Sequence, residues 1–389
     1  MKVRVGVMCH PGVGGSARVA VELAAQLGRR GHDVLLFSRS RPFGMAENPP
    51  GVTFCALDGG TAARGLGDLD LNWSAGEIRR AAAGLAHTAM ERSIDVVHFH
   101  YASPFALVAQ DVRRQLGTSA PVVIGTLHGT DVTIRRDVAD LHALRRALSR
   151  FDATTAVSDS HAVLAAATLG LPTMPVTIPN FIDLSRFYPL PARTPGRPRV
   201  AHVSNFRAVK DPQRMSRVFL QVRRAVDAEL WLVGDGAMMP SVRTILADCS
   251  DAGHVRFLGL RRDVRPILAD TDLLLLTSRE ESFSMATLEA AACAVPTVAP
   301  DVGGLPEVVG DGGVLYDRDD DTAALDAVLG LLRDPIRRGI MAQAALAQAK
   351  RFSADVIVPR YEALYQLVLA RQNIRTRDGQ RDTDASCVR

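Results

Sequence analysis

Short apolar runs alternate with helix-length amphipathic stretches along this chain, in two series separated by a proline-rich segment. The first series opens with a strand over 3–9, a helix over 16–29 with Val19, Leu23 and Leu27 at helical spacing, and a strand over 34–37. Glycine- and proline-rich sequence with a weak strand at 52–57 follows. The alternation then resumes: helix 75–92, strand 96–100, helix 104–116, strand 122–127, helix 141–149, strand 153–157 and helix 161–169. Strands that are apolar throughout and separated by helices belong to a parallel sheet covered on both faces. The fold class is therefore α/β and doubly wound.

A second series begins after 189–198, a linker carrying four prolines. It runs strand 200–203, helix 212–225, strand 229–233, helix 240–249, strand 255–258, helix 264–269, strand 273–276 and helix 322–332, and ends in helices over 341–361 and 361–371. At 389 residues the chain has room for two domains of ordinary size. The expected division is a first domain over 1–188, a second over 199–350, and a polar, aperiodic tail from 372 to 389 that reads as disordered. Two such halves leave a cleft between them. A two-domain dehydrogenase or a two-lobed binding protein would look the same at this level, so architecture alone does not decide function.

Composition narrows the partners. The formal net charge is +4 and no long basic block gathers the excess, which argues against nucleic acid and is compatible with a small anionic substrate. The cysteines, Cys9, Cys55, Cys249, Cys293 and Cys387, are scattered without metal-like spacing and read as free thiols in a reducing cytoplasm. Met1-Lys2 leads straight into a strand, so no leader is expected, and no run is long enough for a membrane span. Self-association into a homo-oligomer is compatible with such a chain.

In doubly wound sheets ligands sit at the carboxyl ends of the strands. There the first half places Gly12-Val13-Gly14-Gly15-Ser16, His100-Tyr101 and Thr126 to His128. The glycine-rich turn lets a ligand approach the backbone, but it is not a clean dinucleotide fingerprint, and Ser16 reads equally well as a helix N-cap. The second half places Ser204-Asn205-Phe206-Arg207-Ala208-Val209-Lys210 after a strand. Taken alone, Arg207 and Lys210 are solvated cations; taken together, they can grip a diphosphate. After the run Leu273 to Leu276 come Glu281, Phe283, Ser284, Met285 and Glu289, leading into a helix that Ser282 or Ser284 can cap. Free N–H groups at such a helix start bind phosphate or sugar oxygens, and the two carboxylates accept from hydroxyls. The pairs Asp68/Asp70, Asp270/Asp272 and Asp382/Asp384 read as turn and cap residues, so no metal or other cofactor is expected.

The segment from Glu281 through Glu289, Ala292-Cys-Ala-Val-Pro-Thr-Val298 and Val302-Gly-Gly-Leu-Pro-Glu-Val-Val309 resembles the nucleotide-sugar-binding half of retaining GT-B glycosyltransferases. The resemblance implies a GT-B fold, two doubly wound Rossmann-like domains facing a cleft, with a closing helix (about 353–371) returning to the first domain. It implies that Arg207 and Lys210 neutralise the leaving diphosphate, and that Gly15, Asn205, Glu281, Phe283, Ser284, Met285 and Glu289 also hold the donor. His128 would point at the donor sugar near the reacting carbon. Two positions depart from the family: Ser284 and Ala294 stand where glycine is usual. A β-carbon at 284 fits beside a phosphate where φ is negative.

Further pieces resemble, more narrowly, the N-acetylglucosaminyl L-malate synthases of bacillithiol biosynthesis. They include Gly14-Gly-Ser16, His98-x-His100-Tyr101-Ala-x-Pro104, Thr126-Leu-His-Gly-Thr-Asp131 and Asn180-Phe-Ile-Asp183. That likeness implies transfer of GlcNAc from UDP-GlcNAc to L-malate, with Ser16, Tyr101, Thr126 and Arg145 holding the two carboxylates. An inositol phosphate or a natural-product intermediate is the alternative acceptor. A two-lobed nucleotide-sugar-binding protein without turnover is the alternative of another class.

Overall fold

The computed structural model describes residues 2–12, 14–43, 45, 47–57, 73–134, 138–191 and 196–386, with side chains as far as 374. The chain forms two compact units, Met1–Ile178 with Ile357–Arg389, and Pro179–Val356. Each is a parallel sheet flanked by helices, as the alternating pattern implied.

In the first unit β1 (Arg4–Met8), β2 (Asp33–Ser38), β3 (Val52–Ala56), β4 (Val96–His100), β5 (Val122–Leu127), β6 (Ala153–Ala156) and β7 (Val176–Thr177) form one sheet. Their order is β3-β2-β1-β4-β5-β6-β7. Every residue of β4 and β5 is buried, the mark of a strand covered on both faces. In the second unit β8 (Arg199–Val203), β9 (Glu229–Val233), β10 (Val255–Gly259), β11 (Leu273–Leu275), β12 (Thr297–Pro300) and β13 (Gly313–Tyr316) follow the order β10-β9-β8-β11-β12-β13. The helix Pro212–Ala225 shows how this sheet is covered. Met215, Val218, Phe219 and Val222 fall on one helical stripe and are all fully buried in the core with Leu230, Leu232 and Leu273. In both sheets the connections reverse direction beside a central strand, at β1/β4 and at β8/β11, and in such sheets ligands bind outside the carboxyl ends at this switch point.

Several expectations are corrected. The units part at Ile178/Pro179, upstream of the proline-rich linker, because Ile182 bonds to the backbone around Ser353: Ile182 N donates to Phe352 O at 3.0 Å and Ala354 N to Ile182 O at 2.9 Å. The last helix spans Ala354–Ser386, through much of the tail read as disordered. Within that tail Gly379 is the residue that opposes helix most, at about 1 kcal/mol, and no proline stops it. Ser16 is not an N-cap: the helix Gly15–Arg29 starts from Gly14, whose extended φ of −161° puts Ser16 inside the first turn. Strands β7, β12 and β13 were not expected, being too short to show a period of their own.

Candidate functional site

In the second unit the loops leaving β8, β11 and β12 are stitched together at the switch point. After β8 the chain extends through Arg207 (φ −91°, ψ 160°), makes a 3-10 turn over Ala208–Lys210, and turns left-handed at Asp211 to cap the helix Pro212–Ala225. The loop after β11 locks onto it. Thr277 Oγ1 donates to Asp211 O at 2.8 Å, Arg279 N to Val209 O at 2.8 Å, and Arg279 Nε to Asp211 Oδ2 at 2.9 Å. These bonds bring Lys210 against Glu281, and the two form an ion pair. The loop after β12 closes the other side, where Gly304 N donates to Glu281 O at 2.9 Å. A Cβ at Gly303 (φ +55°) would stand 1.9 Å from that oxygen, so only glycine fits.

The helix Met285–Ala292 starts beside this cluster, with Ser284 as its N-cap and Met285, half-buried, as its first residue. Thr287 Oγ1 lies 3.0 Å from Ser284 Oγ, and Thr287 N donates to the same oxygen at 3.4 Å. The negative φ at which a β-carbon at 284 would fit easily is not found: φ is +84°. Ala294, the other departure from the family's glycines, has φ +58°. Both substitutions thus occupy backbone that favours glycine. Glu289, in this helix, is 3% exposed, and Phe283 is buried edge-on against Phe352, with ring centroids 5.5 Å apart. Asn205 follows β8 with its Oδ1 buried and without a hydrogen-bond partner among the described residues. Asn205, Arg207, Lys210, Glu281, Phe283, Ser284 and Met285 are therefore on loops at one end of one sheet, with Glu289 on the helix behind them.

In the first unit Gly15 and Ser16 follow β1, Tyr101 follows β4 and His128 follows β5, all at the carboxyl edge. Tyr101 is buried with φ +119°, and its N–H donates to Thr126 O at 3.0 Å. His10 stacks on Phe105 (4.5 Å) and meets Tyr101 edge-on (5.1 Å). Strand alternation puts His98 and His100 on one face of β4. His98 Nε2 lies 2.7 Å from Thr126 Oγ1, and Thr126 Oγ1 lies 2.7 Å from Thr155 Oγ1. His98 Nδ1 is 2.7 Å from Tyr365 Oη. Thr126, fully buried, thus spends its hydroxyl inside the unit. His100 Nδ1 meets His128 Nε2 at 3.0 Å. Burial pushes His98 down to about 3, and His100 and His128 well below the usual imidazole range, so these rings are neutral. Asp131 holds the turn that carries His128, accepting from the N–H groups of Ala102 (2.9 Å), His128 (3.0 Å) and Gly129 (2.7 Å).

Arg145 is not at this edge. It sits in the last turn of the helix Val138–Leu148, and its Nε donates to Leu169 O at 2.7 Å, at the far end of the helix Asp159–Leu169. That helix leaves β6 at the carboxyl edge, so its last turn lies toward the opposite edge. The guanidinium there satisfies carbonyls that the helix leaves unpaired.

The sequence reading passed over His202, Asp211 and Asp131 as parts of a site. His202 and Asp131 had a signal available, a polar side chain in or just beyond an otherwise apolar strand. Asp270 and Asp272 anchor the start of β8: Asp270 pairs with Arg199, and Asp272 Oδ2 accepts from Arg199 N at 2.8 Å. Asp68 and Asp70, and the side chains of Asp382 and Asp384, lie outside the described residues. Among the described residues no helix is long and apolar enough to cross a membrane.

Comparison with known proteins follows the same division. Residues 197–334 match the model for Glycosyl transferases group 1, and residues 13–186 match Glycosyltransferase Family 4. The chain is 33% identical to the N-acetyl-alpha-D-glucosaminyl L-malate synthase of Bacillus anthracis, over 95% of this chain and 98% of that protein. It is 28% identical to the D-inositol 3-phosphate glycosyltransferase of Kineococcus radiotolerans, over 90% of this chain and 91% of that protein. Among solved structures, sucrose-phosphate synthase from Thermosynechococcus elongatus superposes with a TM-score of 0.77 at 18% identity, covering 95% of this chain and all of that one (100%). Anabaena HepE in complex with UDP and glucose gives 0.76 at 18% identity, covering 94% and 99%. At such identities these structures speak for the fold alone.

Proposed function

Because the chain belongs to the group 1 glycosyltransferases and has their GT-B fold, we propose that it moves GlcNAc from UDP-GlcNAc to the hydroxyl of L-malate with retention of configuration. The observation that carries this reading is the Lys210–Glu281 ion pair at the switch point, in a chain matched along nearly its whole length by a GlcNAc-malate synthase.

The chemistry asks little of a dedicated base. As the bond to the sugar breaks, negative charge grows on the departing diphosphate, and Arg207 with Lys210 neutralises it. Glu281 holds Lys210 in place before the donor arrives and accepts a sugar hydroxyl once it has. Glu289 accepts from the ribose, and the free N–H groups after Ser284 take phosphate oxygens. The leaving diphosphate itself takes the acceptor's proton on the face it departs from, so positioning and electrostatics supply the rate. His128 borders the reacting carbon as a neutral imidazole. On the acceptor side Ser16 and Tyr101 remain the assigned contacts; Thr126 acts from behind them through the buried hydroxyl network, and Arg145 is withdrawn. The reading requires no metal and places the reaction in the cytoplasm.

The test is an acceptor panel with UDP-GlcNAc as donor, containing L-malate, D-inositol 3-phosphate and glycerate, scored by UDP release, product mass and anomeric configuration. An α-linked GlcNAc-malate is the expected product. Turnover with the inositol phosphate and none with malate would replace the acceptor, an outcome the inositol-phosphate relative makes a specific second reading. No UDP release with any member would favour a binding protein.

A further inference from the structure

His202 is the penultimate residue of β8 and is fully buried. The β8–β11 ladder ends one residue earlier, at the pair Ala201–Leu274, whereas β8 stays paired with β9 as far as Val203–Val233. Just beyond the Ala201–Leu274 pair, His202 Nδ1 lies 2.9 Å from the carbonyl oxygen of Leu275. A carbonyl can only accept, so the imidazole proton is on Nδ1. In the neutral ring Nε2 is then a bare lone pair, and Ser204 Oγ, 2.9 Å away, must donate to it. With its proton committed, Ser204 Oγ accepts the N–H of Phe206 at 3.1 Å. Every proton in the chain Leu275–His202–Ser204–Phe206 is thereby assigned. Burial pushes His202 down to about 4, which keeps Nε2 an acceptor at neutral pH.

The segment held in this way is the one that carries Asn205 and Arg207. It is clamped from the other side as well. A Cβ at Gly236 would stand 2.0 Å from Asn205 O, and one at Gly234 (φ +118°) 1.8 Å from Ser204 O.

We propose that His202 and Ser204 are positioning residues that bridge the gap between β8 and β11 and fix the 204–207 backbone, and so set the affinity for a nucleoside diphosphate. The inference rests on the reading of this loop as the donor site. It assigns a role to side chains that touch no substrate and act only through the loop.

The experiment measures UDP binding to the full chain by calorimetry, beside the thermal midpoint, for Ser204→Ala, Ser204→Thr, His202→Asn, the Ser204→Ala/His202→Asn double variant, and Lys210→Ala. Loss of the Ser204 hydroxyl is expected to weaken UDP about tenfold. The threonine variant, which keeps the hydroxyl, should stay within about threefold of wild type. Asn at 202 keeps an N–H near the Nδ1 position and lacks Nε2, so the double variant should bind UDP no worse than Ser204→Ala. If His202→Asn fails to fold, the Ala/Thr pair at 204 decides. Wild-type affinity in Ser204→Ala, with affinity lost in Lys210→Ala, overturns the relay and leaves the donor site standing. Wild-type affinity in Lys210→Ala as well removes the donor-site reading, and the relay's function with it.

Discussion

Lys210 and Glu281, 71 positions apart in the chain, meet as an ion pair at the carboxyl ends of β8 and β11. Both side chains are mostly buried, with 20% and 10% of their surface exposed. A lysine held by a carboxylate is already aimed when the diphosphate arrives, so little ordering entropy remains to be lost on binding. Removing the charge should therefore be felt in the chemical step. Lys210→Ala is expected to lower kcat by on the order of 10² to 10³, from roughly 3–4 kcal/mol of lost stabilisation of the departing diphosphate. UDP-GlcNAc affinity should fall less than turnover. Steady-state kinetics beside calorimetry checks this, and a near-normal kcat would take Lys210 out of the mechanism.

The two carboxylates should separate by ligand. Glu289→Ala should weaken UDP and UDP-GlcNAc alike, because ribose is common to both. Glu281→Ala should weaken UDP-GlcNAc far more than UDP, since it removes a sugar contact, whereas the diphosphate loses only the prior aiming of Lys210. Equal losses for both ligands in both variants would show the division of roles to be wrong.

The positive-φ residues Ser284 and Ala294 carry a backbone cost that glycine would not. Ala294→Gly should raise stability by about 1 kcal/mol, less what glycine gives back through a more flexible unfolded chain. Ser284→Gly should gain less, because it also loses the cap to Thr287 N, worth a few tenths of a kcal/mol relative to glycine. Denaturant midpoints decide, and a destabilised Ala294→Gly would mean that the left-handed geometry costs this chain nothing.

These two positions also show where sequence was legible and where it was not. Alternating apolar runs were enough to reveal two parallel sheets, because burial on both faces leaves little freedom in composition. The sequence also marked Lys210 and Glu281 individually. It did not show their pairing, which depends on where the loops after β8 and β11 diverge. Arg145 was expected to be a carboxylate ligand because the family resemblance implied it and its charge fitted. Nothing in a linear pattern says toward which edge of a sheet the last turn of a helix carries its side chain. The sign of φ at 284 was equally hidden, since a serine adopts either sign when the surrounding loop compels it.

Buried histidines give the fold an acid limit. In the folded chain burial lowers His202 to about 4 and His98 to about 3, against about 6.5 for an exposed ring. Each is therefore neutral when folded and takes a proton more readily when unfolded. Their contribution to stability is full above about pH 6.5 and is lost progressively as pH falls toward the folded values. For His202 the loss is on the order of 3 kcal/mol by pH 4. Unfolding free energies measured between pH 7 and 4 should fall steeply in wild type. In His202→Asn they should start lower and fall less steeply. Parallel curves for the two proteins would count against this account.

Arg145, which the family resemblance made an acceptor ligand, caps a helix instead. Its Nε donates to Leu169 O at 2.7 Å and its Nη2 to Thr168 O at 3.3 Å, so the guanidinium closes the end of the helix Asp159–Leu169. A cation at a helix C-terminus interacts favourably with the free carbonyls and with the helix dipole, typically by about 0.3–1 kcal/mol when partly exposed. Arg145→Ala should consequently lower stability by roughly 1 kcal/mol, adding the lost hydrogen bonds. It should leave the malate KM within about twofold of wild type, far from the roughly 10- to 100-fold rise expected for losing a carboxylate's charged partner. Lys at 145 keeps the charge and reaches one carbonyl as a point donor, so it should recover part of the thermal midpoint. Malate kinetics and a melting curve on the same three proteins separate the alternatives. A tenfold or larger rise in malate KM with an unchanged melting curve would return Arg145 to the acceptor pocket, and would mean that the working enzyme moves this side chain away from the Leu169 carbonyl.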